Sequence, residues 1–113
     1  MILVMSQKVF IELLDLPGES NWKNVLITLG EKAISKGWAK QGYCEALIQR
    51  EEKFPTGLET KTIGVALPHA DPEWVDQSAI LIGILESPVK FNKMDDFRAT
   101  TDDAVFVRLN CFG

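Results

Sequence analysis

The sequence predicts an α/β (α+β) domain, with a mixed β-sheet of about four to five strands flanked by helices. Two changes of pattern carry that expectation. Between residues 21 and 53 apolar side chains recur at helical spacing, and from residue 63 onward they alternate or run together as strand residues do. The length is the third observation. A chain of 113 residues with 46% hydrophobic and 25% charged residues fits one globular domain, residues 1–113, with a single core.

Taken in order, Lys8 to Leu14 reads as a strand with Val9, Ile11 and Leu13 on one side, and Pro17-Gly18 breaks it. Ser20 is placed to cap a helix over about residues 21–36, whose Trp22, Val25, Leu26, Leu29 and Ala33 form one buried stripe. Gly37 fits the position just past its end, where a positive φ is needed. A second helix runs from about Gly42 to Lys53, with Tyr43, Leu47 and Ile48 apolar. Pro55 stops it, because a residue preceding proline disfavours the helical region. Ile63, Val65 and Leu67 then alternate up to Pro68. Ser78 to Leu85 is almost wholly apolar, as for a central strand covered on both faces. Val89 to Phe91 suggests a short edge strand, and Ala104 to Leu109 another strand.

The arrangement is unbalanced. The second half offers strands and no strong helix, so only two helices are available to cover a sheet that needs cover on both faces. A partner chain or further helices beyond Gly113 would supply the rest.

Composition removes several function classes. There are 12 Lys and Arg against 16 Asp and Glu, a net charge of −4, and no basic run, which argues against nucleic acid as a partner. The longest apolar run, Ala79 to Leu85, is far short of the ~20 residues of a membrane span. The first residues, MILVMSQK, have no basic region of the signal-peptide kind. Cys44 and Cys111 lie in no metal-ligand spacing and read as free, buried thiols of a reducing cytoplasm.

The densest chemistry lies between Arg50 and Asp71 and contains the only histidine, His69. His69 follows a strand end and Pro68, which sets an imidazole on a rigid loop at the sheet rim. A neutral imidazole is a nucleophile, and a phosphoryl group in transfer calls for a nearby guanidinium, for which Arg50 stands out. Thr56 can add a hydroxyl donor, and the backbone around Gly57 and Leu58 can approach an anion. The plainer readings stay open beside these. His69 can be an ordinary surface histidine, Arg50 an ion-pair partner of Glu51 or Glu52, and Thr56-Gly57 a simple turn after a helix. Trp74 is expected to pack down rather than form a partner surface.

Other chemistries have less support. His69, Asp71 and Glu73 could ligate a metal, but a zinc site with one His and no Cys is unusual. A serine triad through Ser78 lacks a GxSxG elbow, and a Cys44–His69 pair lacks any local motif. Without a Walker A or GxGxxG sequence, a directly bound nucleotide is not expected.

Four segments together resemble a known family. Leu47-Ile48-Gln49-Arg50-Glu51, Phe54-Pro55-Thr56-Gly57-Leu58, Ile63-Gly64-Val65-Ala66-Leu67-Pro68-His69 and Pro88-Val89-Lys90-Phe91-Asn92-Lys93-Met94 are similar to the enzyme IIA domain of the sugar phosphotransferase system. The type is mannitol/fructose, and the segments are most similar to the galactitol branch. The resemblance runs from about Val9 to Val107. It implies a cytoplasmic phosphocarrier and phosphotransferase without metal or organic cofactor. His69 would accept a phosphoryl group from phospho-HPr and pass it to a cysteine of a sugar-specific IIB protein, which serves a membrane IIC component. Arg50 matches the family arginine beside the phosphohistidine, and Thr56 and Gly57 match the turn next to the site.

The sequence departs from the family in two ways. Relatives continue into a helical pair that packs on the sheet, so the domain is expected to be incomplete at its C-terminus, with an uncovered sheet face able to self-associate. Some relatives also carry a second histidine near the first, and none is present here. Two further readings follow: a regulatory IIA-like module whose acidic rim of Asp71, Glu73 and Asp76 docks partners by phosphorylation state, and an inactive truncated fragment.

Overall fold

The computed structural model describes residues 10–16, 21–59, 64–95 and 104–111. They form a five-stranded mixed sheet and two helices. The strands are β1 (Phe10–Leu16), β2 (Gly57–Glu59), β3 (Gly64–Ala66), β4 (Ala79–Val89) and β5 (Ala104–Cys111), and the helices are α1 (Trp22–Ser35) and α2 (Tyr43–Lys53). The spatial order is β1-β4-β5-β3-β2. Parallel pairs (β1 with β4, β3 with β5) alternate with antiparallel ones (β4 with β5, β2 with β3).

Helix α1 forms where its apolar stripe was expected. Val25, Leu26, Leu29 and Ala33 are fully buried, and Gly37 has φ +77° just beyond the last turn. Its cap is Asn21 rather than Ser20, which lies outside the described residues. The Asn21 side chain accepts a hydrogen bond from the Asn24 N–H at 2.9 Å, satisfying one of the free donors of the first turn. Helix α2 buries Tyr43 and Leu47, leaves Ile48 half-buried, and ends at Phe54 ahead of Pro55.

The strands differ from expectation in instructive ways. Where Lys8 to Leu14 was expected, β1 runs Phe10–Leu16, and Lys8 and Val9 lie outside the described residues. Leu13 does not face the core: it is 61% exposed, whereas Leu16 is 4% exposed. The reason lies across the sheet. A Cβ on Gly83 would meet the side chains of Leu16 and Leu29, so α1 lies over the face carrying Leu16 and the odd-numbered residues of β4. Leu13 pairs with Ile82 in register and shares the opposite face.

Strand β4 lies inside the sheet, paired on both sides, but the expected cover on both faces is not found among the described residues. Ala79, Leu81 and Leu85 are buried, while Ile80 and Ile82 are half-buried and Ile84 is 38% exposed. The segments expected as two strands, Ser78 to Leu85 and Val89 to Phe91, form one strand through Val89, and Phe91 instead packs in the core beside Trp22. Pro88 is tolerated because pairing with β1 stops at Leu85 and the register with β5 breaks between Ile84 and Val89, so among the described residues no ladder bond needs its missing N–H. Strand β2 and a 3-10 turn at Pro72–Trp74 were not foreseen. Ile63, expected to begin β3, lies outside the described residues.

Gly42 joins the helices to the site. Its φ is +93°, and a Cβ there would stand 2.7 Å from the Trp74 ring, so Trp74 packs down as expected. Gly37 is also left-handed but has open space around it. Gly37→Ala should therefore lose only the backbone term, about 1 kcal/mol, and Gly42→Ala should lose more, about 2 kcal/mol or above, by urea denaturation.

Candidate functional site

Strand β3 delivers His69. It ends at Ala66, and Pro68 is fully buried, so the loop that follows is pinned to the core one residue before the imidazole. The half-buried His69 ring has Nδ1 3.2 Å from the Leu67 carbonyl oxygen. A carbonyl only accepts, so this contact requires a proton on Nδ1. In the neutral ring the lone pair is then on Nε2.

Behind the loop is a polar contact between α2 and β3. Glu51, in the last turn of α2, is only 4% exposed, and Thr56 only 3%. Both carboxylate oxygens are engaged: the Thr56 N–H donates to Oε2 at 2.7 Å, and the Thr56 hydroxyl donates to Oε1 at 2.8 Å. The same hydroxyl accepts from the Leu67 N–H at 3.1 Å. Leu67 is thus held by Thr56 through its N–H and meets His69 through its C=O.

These bonds change the part expected of Thr56 and Gly57. The Thr56 amide and hydroxyl protons are spent on Glu51. The Gly57 N–H donates to the Asn92 carbonyl at 3.0 Å, and the Gly57 carbonyl accepts from Met94 at 2.8 Å. Gly57 begins β2 with an ordinary negative φ rather than a left-handed turn. The segment braces the site, and its donors are not free for an anion. Nor does Arg50 pair with Glu51 or Glu52: Glu51 holds Thr56, and Glu52 lies 3.7 Å from Lys23.

Arg50 turns instead toward the histidine loop. Its Nη1 is 3.7 Å from Oδ1 of Asp71, two residues past His69, and its guanidinium lies 4.9 Å from the Phe54 ring centre. The Nε is buried without a hydrogen-bond partner among the described residues, so the guanidinium retains donor capacity. Arg50, Phe54, Asp71, Glu73 and Trp74 line an open groove of about 580 Å³, whose lining does not include His69. Of the remaining acidic rim, Asp76 is tied to Lys40 at 2.6 Å. Among the described residues no group of three or more His, Cys, Asp or Glu is arranged to hold a metal.

Burial pushes the Glu51 carboxyl above its ordinary value, while the Thr56 hydrogen bonds and the nearby His69 and Arg50 pull it back. Cys44 is a free but half-buried thiol, pushed up by burial and by Glu31, and so poorly suited to nucleophilic work. The side chain of Cys111 lies outside the described residues.

Glu51 is the residue that sequence reasoning missed. It looked like one charge among several in Arg50-Glu51-Glu52-Lys53, and only a Thr five residues on, past a helix-stopping proline, hinted at its hydrogen bonds.

The profile of the family described as phosphoenolpyruvate-dependent sugar phosphotransferase system, EIIA 2, matches residues 7–106. The galactitol-specific EIIA component of Escherichia coli K12 is 33% identical over 72 residues, covering 64% of this chain and 48% of that protein. The chain therefore spans about half the length of that relative. The transcriptional regulator ManR of Bacillus subtilis is 28% identical over 82 residues, 73% of this chain and 12% of the regulator. In fold, the chain is similar to enzyme IIA of mannitol in complex with phosphorylated enzyme IIB from Escherichia coli. The TM-score is 0.71 at 19% identity, covering 89% of this chain and 66% of that one.

The raised Glu51 pKa has a definite sign. The native state keeps this proton at pH values where the unfolded chain, near the ordinary 4.5, has lost it. The Glu51 contribution to stability is therefore present at low pH and falls as pH rises from about 4.5 through the raised native value. Subtracting the pH dependence of unfolding free energy for Glu51→Gln from that of the native sequence should leave this downward slope.

Proposed function

The chain belongs to the phosphoenolpyruvate-dependent sugar phosphotransferase system EIIA 2 family, and from that premise we propose that it is a cytoplasmic phosphocarrier with His69 as the phosphoryl acceptor. The observation that carries this reading is the state of the His69 ring: Nδ1 is occupied by the Leu67 carbonyl, which leaves the Nε2 lone pair for chemistry.

The transfer is a pair of displacements. Nε2 of His69 attacks the phosphorus held by phospho-HPr, forming a nitrogen–phosphorus bond as the bond to the donor breaks with its electron pair. A cysteine thiolate of a IIB protein then attacks that phosphorus, and the bonding pair returns to Nε2. Arg50 stabilises the charge on the phosphoryl oxygens through Nη1, whose pair with Asp71 is loose at 3.7 Å. The IIB protein serves a membrane IIC component. The relative's name supports galactitol as the sugar, and the sugar itself would never touch this chain.

Two other readings have observations behind them. The match to ManR favours a regulatory module, which capture of a regulator in place of a IIB protein would support. The exposed Leu13 and Ile84 favour self-association through the open sheet face. Light scattering should then show mass rising with concentration, and a constant monomer mass would exclude it.

Phospho-HPr should place an acid-labile phosphoryl group on the protein. His69→Ala should abolish labelling, and Arg50→Ala should slow it roughly 100-fold. A folded native-sequence protein that takes no label would overturn the reading.

A further inference from the structure

We infer that Glu51 is a positioning residue for the acceptor: it holds the Thr56 hydroxyl, which fixes Leu67, whose carbonyl in turn sets which nitrogen of His69 carries the proton. The inference rests on His69 being the reacting group and adds how the ring is readied.

Direction decides the argument. A threonine hydroxyl has one proton and can swing it among several acceptors. With its proton committed to Oε1 of Glu51, the oxygen presents only lone pairs to its other neighbours, and the Leu67 N–H lies 3.1 Å away to receive one. The second Glu51 oxygen takes the Thr56 amide at 2.7 Å, so Thr56 is held at two points and neither its backbone nor its side chain can turn away. The peptide that carries the Leu67 N–H is then held, and buried Pro68 holds the next one, which carries the Leu67 carbonyl and leads to His69. The Leu67 carbonyl meets the ring at Nδ1, two residues on. A ring with the opposite tautomer would set two acceptors against each other there and would carry a proton where the phosphorus must bind. Holding the correct tautomer is the service a buried carboxylate performs for histidine in other active sites, where it is usually direct. Here it passes through a hydroxyl and a peptide.

No other role explains Glu51 as well. It is buried, it forms no ion pair with the adjacent Arg50, and both its oxygens are spent within one loop. A purely structural clamp could be apolar at lower desolvation cost.

The test uses Thr56→Val, which keeps the shape and the amide and removes the hydroxyl, and Thr56→Ser, which restores it. Nitrogen-15 NMR of the His69 ring, at a pH where the imidazole is neutral and with no phosphoryl donor present, reads the tautomer. The native sequence should show Nδ1 protonated. Thr56→Val should show a mixture of tautomers and phosphoryl transfer slower by about tenfold, and Thr56→Ser should recover both. Glu51→Gln should move the same signals in the same direction, and it carries the test if Thr56→Val does not fold. A folded Thr56→Val, or in its place a folded Glu51→Gln, with an unchanged tautomer and rate overturns the proposal. The tautomer is read without HPr, so a protein that shows the tautomer shift but takes no phosphoryl group would overturn the carrier reading and leave the positioning of the ring standing.

Discussion

The architecture of the site depends on one buried carboxylate. Glu51 sits where α2 ends and the chain must turn into the sheet, and an ionised group there is costly unless its oxygens are satisfied. Thr56 satisfies both, with amide and hydroxyl. The helix end, the start of β2 and the exit of β3 are thereby joined at one point. Arg50 and His69, which are 19 positions apart in sequence, reach the same loop because of that join. The guanidinium also stands in the last turn of α2, where a cation is favoured by the exposed carbonyls of the helix end.

The sheet supplies the rigid support. Strand β3, with three described residues, is short to hold the His69 loop alone, but it is paired on both sides, to β5 and β2. The long ladder between β4 and β5 carries that support to the centre, where α1 closes down on Gly83. On the other face, Leu13, Ile82 and Ile84 are left without helical cover among the described residues, and the solved relative is longer than this chain. The site and the open face thus draw on different halves of the molecule: the brace behind His69 is made by α2, β2 and β3 and does not involve that face.

Much of this was legible in the sequence. The α1 stripe, the proline stop after α2 and the strand leading to Pro68-His69 follow from local periodicity and proline sterics, which neighbours far away in sequence seldom override. The imbalance of strands over helices is matched by the exposed Leu13 and Ile84, which have no helical cover among the described residues. What could not be read is whatever long-range pairing decides. Which side of β1 faces inward depends on α1, and so Leu13 was misplaced. Three-residue β2 exists because β3 lies beside it. The roles of Thr56 and Gly57 changed because their donors meet Glu51 and Asn92, contacts that no spacing rule reports. The family resemblance named residues but could not say which of their atoms are already hydrogen-bonded.

The most direct measurement is the position of phosphorus on the ring. Nitrogen-15 and phosphorus-31 NMR of protein phosphorylated by phospho-HPr should show coupling to Nε2 of His69, with Nδ1 still protonated against the Leu67 carbonyl. Phosphorus on Nδ1, or on any residue other than His69, would contradict the arrangement described here.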